Sequence, residues 1–277
     1  MKKYIFLILI VLGFGLIYWF RIRTVGKGTL PVITYHGISD ENPTNSEYVI
    51  SNAKFEETIK ALKEADFTFL TLYDLDKLVS GEMKLPKNPI FITFDDGYRN
   101  NYENAYPILK KYGAKASLFM VGSQLERPDF LTRPQIIEMA ESGVFAFGSH
   151  TYSLDGTFLD GANKGKTFLS SKLEGETDAE FYAKIKNDLV WNNDVVYNMS
   201  STFPNAIAYP GAMVNEIAKK AVVDAGLKYG FVGANKFATK LSKLDPDNPE
   251  TLLEIHRFHV SPSTNVKNLV RFLQSNN

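Results

Sequence analysis

Apolar runs without alternation, each ending in a polar or glycine-containing turn, recur along this chain between stretches whose apolar residues return every three or four positions. The first kind marks strands buried on both faces, and the second marks helices with one buried stripe. The predicted strands are Leu30–Tyr35, Phe67–Leu70, Pro89–Phe94, Ala116–Val121, Val144–Phe147, Ala206–Tyr209, Tyr229–Val232 and Leu252–Val260. Phe55, Ile59 and Leu62 form one helical face behind a cap at Ser51 or Asn52; Leu72, Leu75, Leu78 and Val79 form another that ends near Gly81. Ala105, Ile108, Leu109 and Tyr112 make a third, stopped by Gly113, and Pro134–Ser142 a fourth with proline in its first turn. Thr177 and Glu180 have the spacing of a capping box at the head of a helix through Phe181, Ile185 and Leu189. Val214–Ala225 and Val266–Leu273 are the last two helices. Gly156–Glu176, polar and glycine-rich, is too long for an ordinary connection and reads as an excursion over the surface. Such alternation argues for an α/β fold on a parallel sheet, open or closed into a barrel.

In folds of this class the loops after the strands gather on one face. The residues that follow strands here are His36, Asp95 with Asp96, His150, and Pro210 with Gly211. Two adjacent carboxylates at the mouth of a core strand need a reason, because ionised Asp is rarely buried without a partner. An Asp-Gly turn at 96–97 is one reason; a metal ligand beside a general base is the other. One imidazole and two or three carboxylates suit a divalent ion. An adjacent Asp could then take a proton from water and a second His could protonate a leaving group, which fits hydrolysis of an amide or ester. No G-x-S-x-G elbow and no P-loop pattern occurs.

Composition narrows this further. The 277 residues carry 31 Lys+Arg against 31 Asp+Glu, so no charge footprint for nucleic acid is present. With no cysteine, disulfides, thiolate ligands and a Cys nucleophile are excluded. His36, His150, His256 and His259 are the only imidazoles; His36 could equally be structural, His256 reads as structural, and His259 is a rival general acid. At the N-terminus, Lys2 and Lys3 precede an uncharged run from Tyr4 to Phe20, followed by Arg21 and Arg23. With no small-x-small cleavage site after it, the run reads as an uncleaved signal anchor, with residues 29–277 as one domain outside the cytoplasm and 1–28 as anchor and linker.

Phe91–Gly97, Asn104–Gly113, Ala116–Met120 and Ser149–Thr151 closely resemble the polysaccharide deacetylase (NodB-homology) family. Tyr35-His36 in the first strand resembles the branch containing poly-N-acetylglucosamine deacetylases and related cell-wall enzymes. The resemblance implies a distorted (β/α) barrel, preceded here by the membrane helix, that removes N-acetyl groups from an N-acetylglucosamine-containing polymer with a divalent metal: zinc, or manganese, cobalt or nickel. It implies Asp95 as general base, Asp96 and His150 as metal ligands, His36 as general acid, and Arg257 as the residue that orients the base. Where the family pattern resembles His-Thr-x-x-Leu-His, this chain ends in Asp155, so the third ligand is expected to be a carboxylate, or else Asp155 merely begins a turn at Gly156. Where the family has a Tyr-Pro-Tyr-Gly-like loop, this chain has Tyr209-Pro210-Gly211-Ala212. The oxyanion donor is then the Gly211 N–H, with Tyr209, Pro210 and Tyr152 expected against the sugar. A catalytically silent carbohydrate-binding protein and an O-acetyl esterase are the alternatives on the same scaffold.

Overall fold

The computed structural model describes residues 28–233 and 238–274. β1 (Thr29–Tyr35) and β5 (Pro89–Phe94) are the central parallel pair, buried at every position as their unbroken apolar sequences require. Between them come the two-residue strands β2 (Gly37–Ile38) and β3 (Val49–Ile50), helix α1 (Asn52–Glu64), β4 (Thr68–Leu70) and α2 (Leu72–Val79). After β5 follow a π-helical turn (Asn101–Ala105), α3 (Tyr106–Tyr112), β6 (Ala116–Met120), α4 (Arg133–Glu141) and β7 (Phe145–Ser149). The chain continues through α5 (Asp178–Ser200), β8 (Ala206–Ala208), α6 (Glu216–Asp224), β9 (Tyr229–Val232) and β10 (Ala238–Lys240). It ends with β11 (Ile255–His256), β12 (Phe258–His259) and α7 (Val266–Gln274).

The sheet runs β1-β5-β6-β7-β8-β9-β11, parallel throughout, and β12 returns to pair with β1. This is a barrel closed by a seam. Its distortion is visible on β5, where the edge facing away from β1 pairs with β4 at Pro89–Phe91 and with β6 at Thr93–Phe94. β10 runs antiparallel to Thr29–Pro31 of β1. Alternate strand residues sort into two sets. Leu30, Val32, Phe91, Phe119, Ala208 and Phe231 cluster with α2 residues, whereas Ile33, Tyr35, Ile92, Phe94 and Leu118 pack with α1, α3, α4 and α7.

The single strand expected over Leu252–Val260 is instead a short 3-10 turn followed by β11 and β12, split at Arg257. The reason is the closure itself. β9 and β1 do not pair with each other, so the last strand must serve β9 with its first half and β1 with its second. The Arg257 N–H still bonds to Val232 O (3.1 Å), and by Val260 the chain has crossed to Thr34 O (3.0 Å). Helix ends follow their sequence signals: Ser51 caps α1, Thr177 and Glu180 form the capping box of α5, and Gly113 ends α3 in the left-handed region. Among the described residues no helix is long and apolar enough to cross a membrane; the predicted anchor over residues 4–20 lies outside them.

Candidate active site

Asp95 follows β5 directly and its carboxylate is 3 % exposed. The step at Arg257 aims a guanidinium at it: Nη1 lies 2.6 Å from Oδ1 and Nη2 2.8 Å from Oδ2. Arg257 Nη1 also donates to Thr34 and Thr93 Oγ1 (3.2 and 3.4 Å), and the guanidinium lies 5.6 Å over the ring of Phe119. Burial pushes the Asp95 carboxyl up; the Arg257 charge and hydrogen bonds, helped by His150 and His36, override it and hold the group well below the usual carboxylate range. Asp95 is therefore ionised at neutral pH, although desolvated.

Asp96 occupies a tight turn with φ 75°, a left-handed conformation that Asp tolerates better than most residues, and Gly97 follows at φ 90°. The turn is fixed by Gly97 N–H to Asp95 O and by Val121 N–H to Asp96 O. It brings Asp96 Oδ1 to 3.5 Å from His150 Nε2. The other imidazole nitrogen, Nδ1, stands 2.8 Å from Ala208 O. A carbonyl only accepts, so Nδ1 carries a proton and Nε2 is the nitrogen turned to Asp96. Thr151, next in the chain, is β-branched yet sits at φ 72°, a strained residue beside a reactive one. Burial raises the Asp96 carboxyl to about 6, with Asp95 and Asp155 adding to the rise and His150 and a hydrogen bond from Tyr98 opposing it.

A cavity of about 480 Å³ is lined by His36, Asp96, Tyr98, Asn100, His150, Asp155, Pro210 and Gly211, with Tyr48 on its rim. His36 Nε2 is 3.8 Å from Asp95 Oδ2. Its imidazole is pushed down to about 4 by burial, against the pull of Asp95 and with help from Arg257, His259 and His150. His259, the rival acid, is turned aside: its Nε2 is engaged with Glu47 O at 3.1 Å, and Tyr48 packs against both imidazoles. Gly211 has φ 58°, and a Cβ there would stand 2.9 Å from Thr167 Cγ2 of the 156–176 excursion, which thus packs directly behind this loop.

Two substrate-side expectations change. Tyr209 does not line the cavity: it is 1 % exposed, and its ring occupies the space left by Gly230, where a Cβ would come within 2.2 Å of the hydroxyl. Only Pro210 and Gly211 of that loop reach the cavity. Tyr152 is outside the lining as well, stacked on exposed Trp191 at 4.2 Å and 9°. Its loop is pinned by Asp188 of α5, which accepts from the N–H groups of Tyr152 and Ser153 (2.8 and 2.9 Å). Tyr98 and the Thr34 and Thr93 hydroxyls were not singled out by sequence, although Tyr98 directly follows Asp95-Asp96-Gly97.

The donors test the expected metal. Among the described residues, no three His, Cys, Asp or Glu side chains stand close enough together to hold an ion. Asp155 shares the cavity wall and its charge is felt at Asp96, but it does not join the Asp96–His150 pair. The pair itself fits a divalent ion of intermediate hardness: an oriented imidazole nitrogen facing a carboxylate, with further carboxylates around it and no cation among the cavity-lining residues.

The profile of the polysaccharide deacetylase family matches residues 82–230, which include Asp95, Asp96, His150 and Gly211 but neither His36 nor Arg257. The chain is 30% identical over 239 residues to the poly-beta-1,6-N-acetyl-D-glucosamine N-deacetylase of Staphylococcus epidermidis, covering 80% of this chain and 77% of that protein. It is 32% identical over 197 residues to the enzyme of the same name from Staphylococcus aureus, covering 69% and 63%. Its fold is that of a de-N-acetylase from Aggregatibacter actinomycetemcomitans (TM-score 0.76, 21% identity, 88% of this chain and 99% of that one). IcaB from Ammonifex degensii is similar to the same degree (TM-score 0.73, 23% identity, 90% and 98%). The chain belongs to the polysaccharide deacetylase family, in the branch that resembles the poly-N-acetylglucosamine deacetylases.

Proposed function

We propose that the chain is a metal-dependent hydrolase that removes acetyl groups from N-acetylglucosamine units of a polysaccharide. One observation carries the reading: a buried, ion-paired carboxylate stands next in the chain to an Asp–His pair that lines one cavity with a second imidazole. The activity named for the staphylococcal relatives supports the substrate class. Asp96 and His150 would hold the divalent ion, zinc or alternatively manganese, cobalt or nickel, with Asp155 the remaining carboxylate on the wall. When bound, such an ion lowers the pKa of water and polarises a carbonyl.

The protein's own groups account for the proton. Asp95, ionised and fixed by Arg257, accepts it from the attacking water. His36 Nε2 lies 3.8 Å away, within reach through one bridging water, and protonates the departing amine. Gly211, kinked at φ 58° and lining the cavity, would offer its N–H to the developing oxyanion.

Acetate release from matched N-acetylated and O-acetylated polymers, before and after chelation, tests this. Release from the N-acetylated polymer alone is expected, lost with the chelator and restored by zinc or manganese. A preference for O-acetyl groups would make the chain an esterase. Polymer binding with no release from either would make it a silent binding protein.

The proposal extends to location. The uncharged run over residues 4–20 between basic flanks supports a single-pass anchor with the domain outside the cytoplasm. Full-length chain is expected in the membrane fraction and open to protease on intact cells; its recovery in the soluble cytoplasm would sink this placement.

A further inference from the structure

His36 and His150 are held in different ways. The His150 ring is fixed through its own Nδ1 to Ala208 O. The His36 ring has no such anchor: Nδ1 is buried without a hydrogen-bond partner, and Nε2 stands beyond hydrogen-bond reach of Asp95. Tyr48 and His259 pack against the ring, and its polar anchorage comes only through the main chain on which it sits. His36 O accepts from Asn101 Nδ2 at 2.7 Å, Ile38 N–H donates to Asn100 Oδ1 at 3.1 Å, and Ile38 O accepts from Asn104 Nδ2 at 2.7 Å. Three asparagines on one turn thus pair the main-chain groups around His36, where a longer strand would have used a neighbouring strand.

Asn101 and Asn104 lie in the π-helical segment Asn101–Ala105, which begins five residues after Asp96 and directly follows Asn100. Its wider winding is uncommon, and π-turns are frequent at functional sites. Asn101 is fully buried, where an amide is costly unless it is bonded; its Nδ2 makes the bonds, while its Oδ1 has no partner among the described residues. Its Nδ2 also reaches Asn100 Oδ1 at 3.3 Å, so the two amides orient one another. The segment that carries the paired carboxylates therefore also grips the segment that carries the imidazole.

We propose that Asn101, with Asn104 in support, is a positioning residue for His36, acting through its main chain to hold the imidazole beside Asp95. This rests on the reading of His36 as the proton donor given above. The test is a double-mutant cycle on the metal-loaded enzyme with an N-acetylglucosamine polymer as substrate, reading kcat, KM and Tm. Asn101→Ala is expected to lower kcat by about ten- to a hundredfold, the scale of a displaced reacting group, with KM nearly unchanged. In a His36→Ala background the same change should leave the residual kcat within about twofold, while its effect on Tm persists. Equal losses of kcat in both backgrounds, or no loss in the first, would overturn the positioning role alone. Wild-type kcat in His36→Ala would overturn the donor reading and the positioning role with it. Asn104→Ala, which removes only the grip on Ile38 O, runs through the same cycle should Asn101→Ala fail to fold.

Discussion

Asp95→Asn is expected to lower acetate release by about a thousandfold and to destabilise the protein by about 3 kcal/mol or more. The loss of rate follows from removing the proton acceptor. The loss of stability follows from Arg257, whose guanidinium is 3 % exposed and gives two of its donors to Asp95. An amide offers it one acceptor and no charge, and a buried cation left without its counter-ion is among the costlier defects a core can carry. The pH dependence has a definite sign. The folded-state pKa of Asp95 is depressed, so its contribution is fully present above the ordinary carboxylate value of 3.8 and is lost as pH falls through the depressed folded value. Wild type and variant should thus converge in stability only in acid. Adding Arg257→Met to Asp95→Asn should recover part of the stability and none of the activity. Urea unfolding and acetate assays on wild type and the two variants check both halves, and near-wild-type release by Asp95→Asn would end the assignment of Asp95 as proton acceptor.

The neighbouring position is expected to behave in the opposite way. Asp96→Asn should abolish activity yet stabilise the metal-free protein by about 2–3 kcal/mol at pH 7.5, the value of a shift from 3.8 to about 6 at about 1.4 kcal/mol per unit. Here burial, aided by the charges of Asp95 and Asp155, raises the folded pKa, so the carboxyl is tolerated while protonated and penalised once ionised. The variant's advantage should therefore grow as pH rises from about 4 to about 6, hold level above that, and vanish below pH 4. A divalent ion in excess should reverse the order, because it binds and stabilises only the protein that keeps its ligand. Thermal unfolding in chelator and in zinc, at pH 4.5 and 7.5, reads all four corners. A destabilised Asp96→Asn in chelator at pH 7.5 would show that Asp96 is not under electrostatic penalty.

Most of this architecture was legible because its signals are local. The unbroken apolar runs of β1 and β5, the cap at Thr177 and the stop at Gly113 each depend on neighbours within a few positions. The same holds for Asp95, Asp96 and His150, each at the end of such a run. What was not legible depends on partners far away in sequence. The division of the last strand at Arg257 arises only because β9 and β1 both need a neighbour there. Tyr209 stands next to Pro210 and looks like a cavity residue, yet Gly230, on the adjoining strand, leaves room that draws its ring into the core. The β10 pairing with β1 is antiparallel and carries no period that would announce it. Asp155 has the right distance from His150 along the chain and shares the cavity wall, but among the described residues it does not complete a three-ligand cluster with Asp96 and His150.

The seam at Arg257 also bears on how the molecule is made. Asp95 and Arg257 are separated by 162 residues, so the contact joins opposite ends of the folding problem. Loop closure over such a span is paid before the contact returns anything, which places barrel closure late and makes it slow. A growing chain that stops short of Ile255 holds β5 and its carboxylate but neither the strand that shuts the barrel nor the charge that steadies Asp95. On the proposed role of Asp95, proton-accepting geometry is acquired in the same event that completes the core, and acetate release would report finished folding.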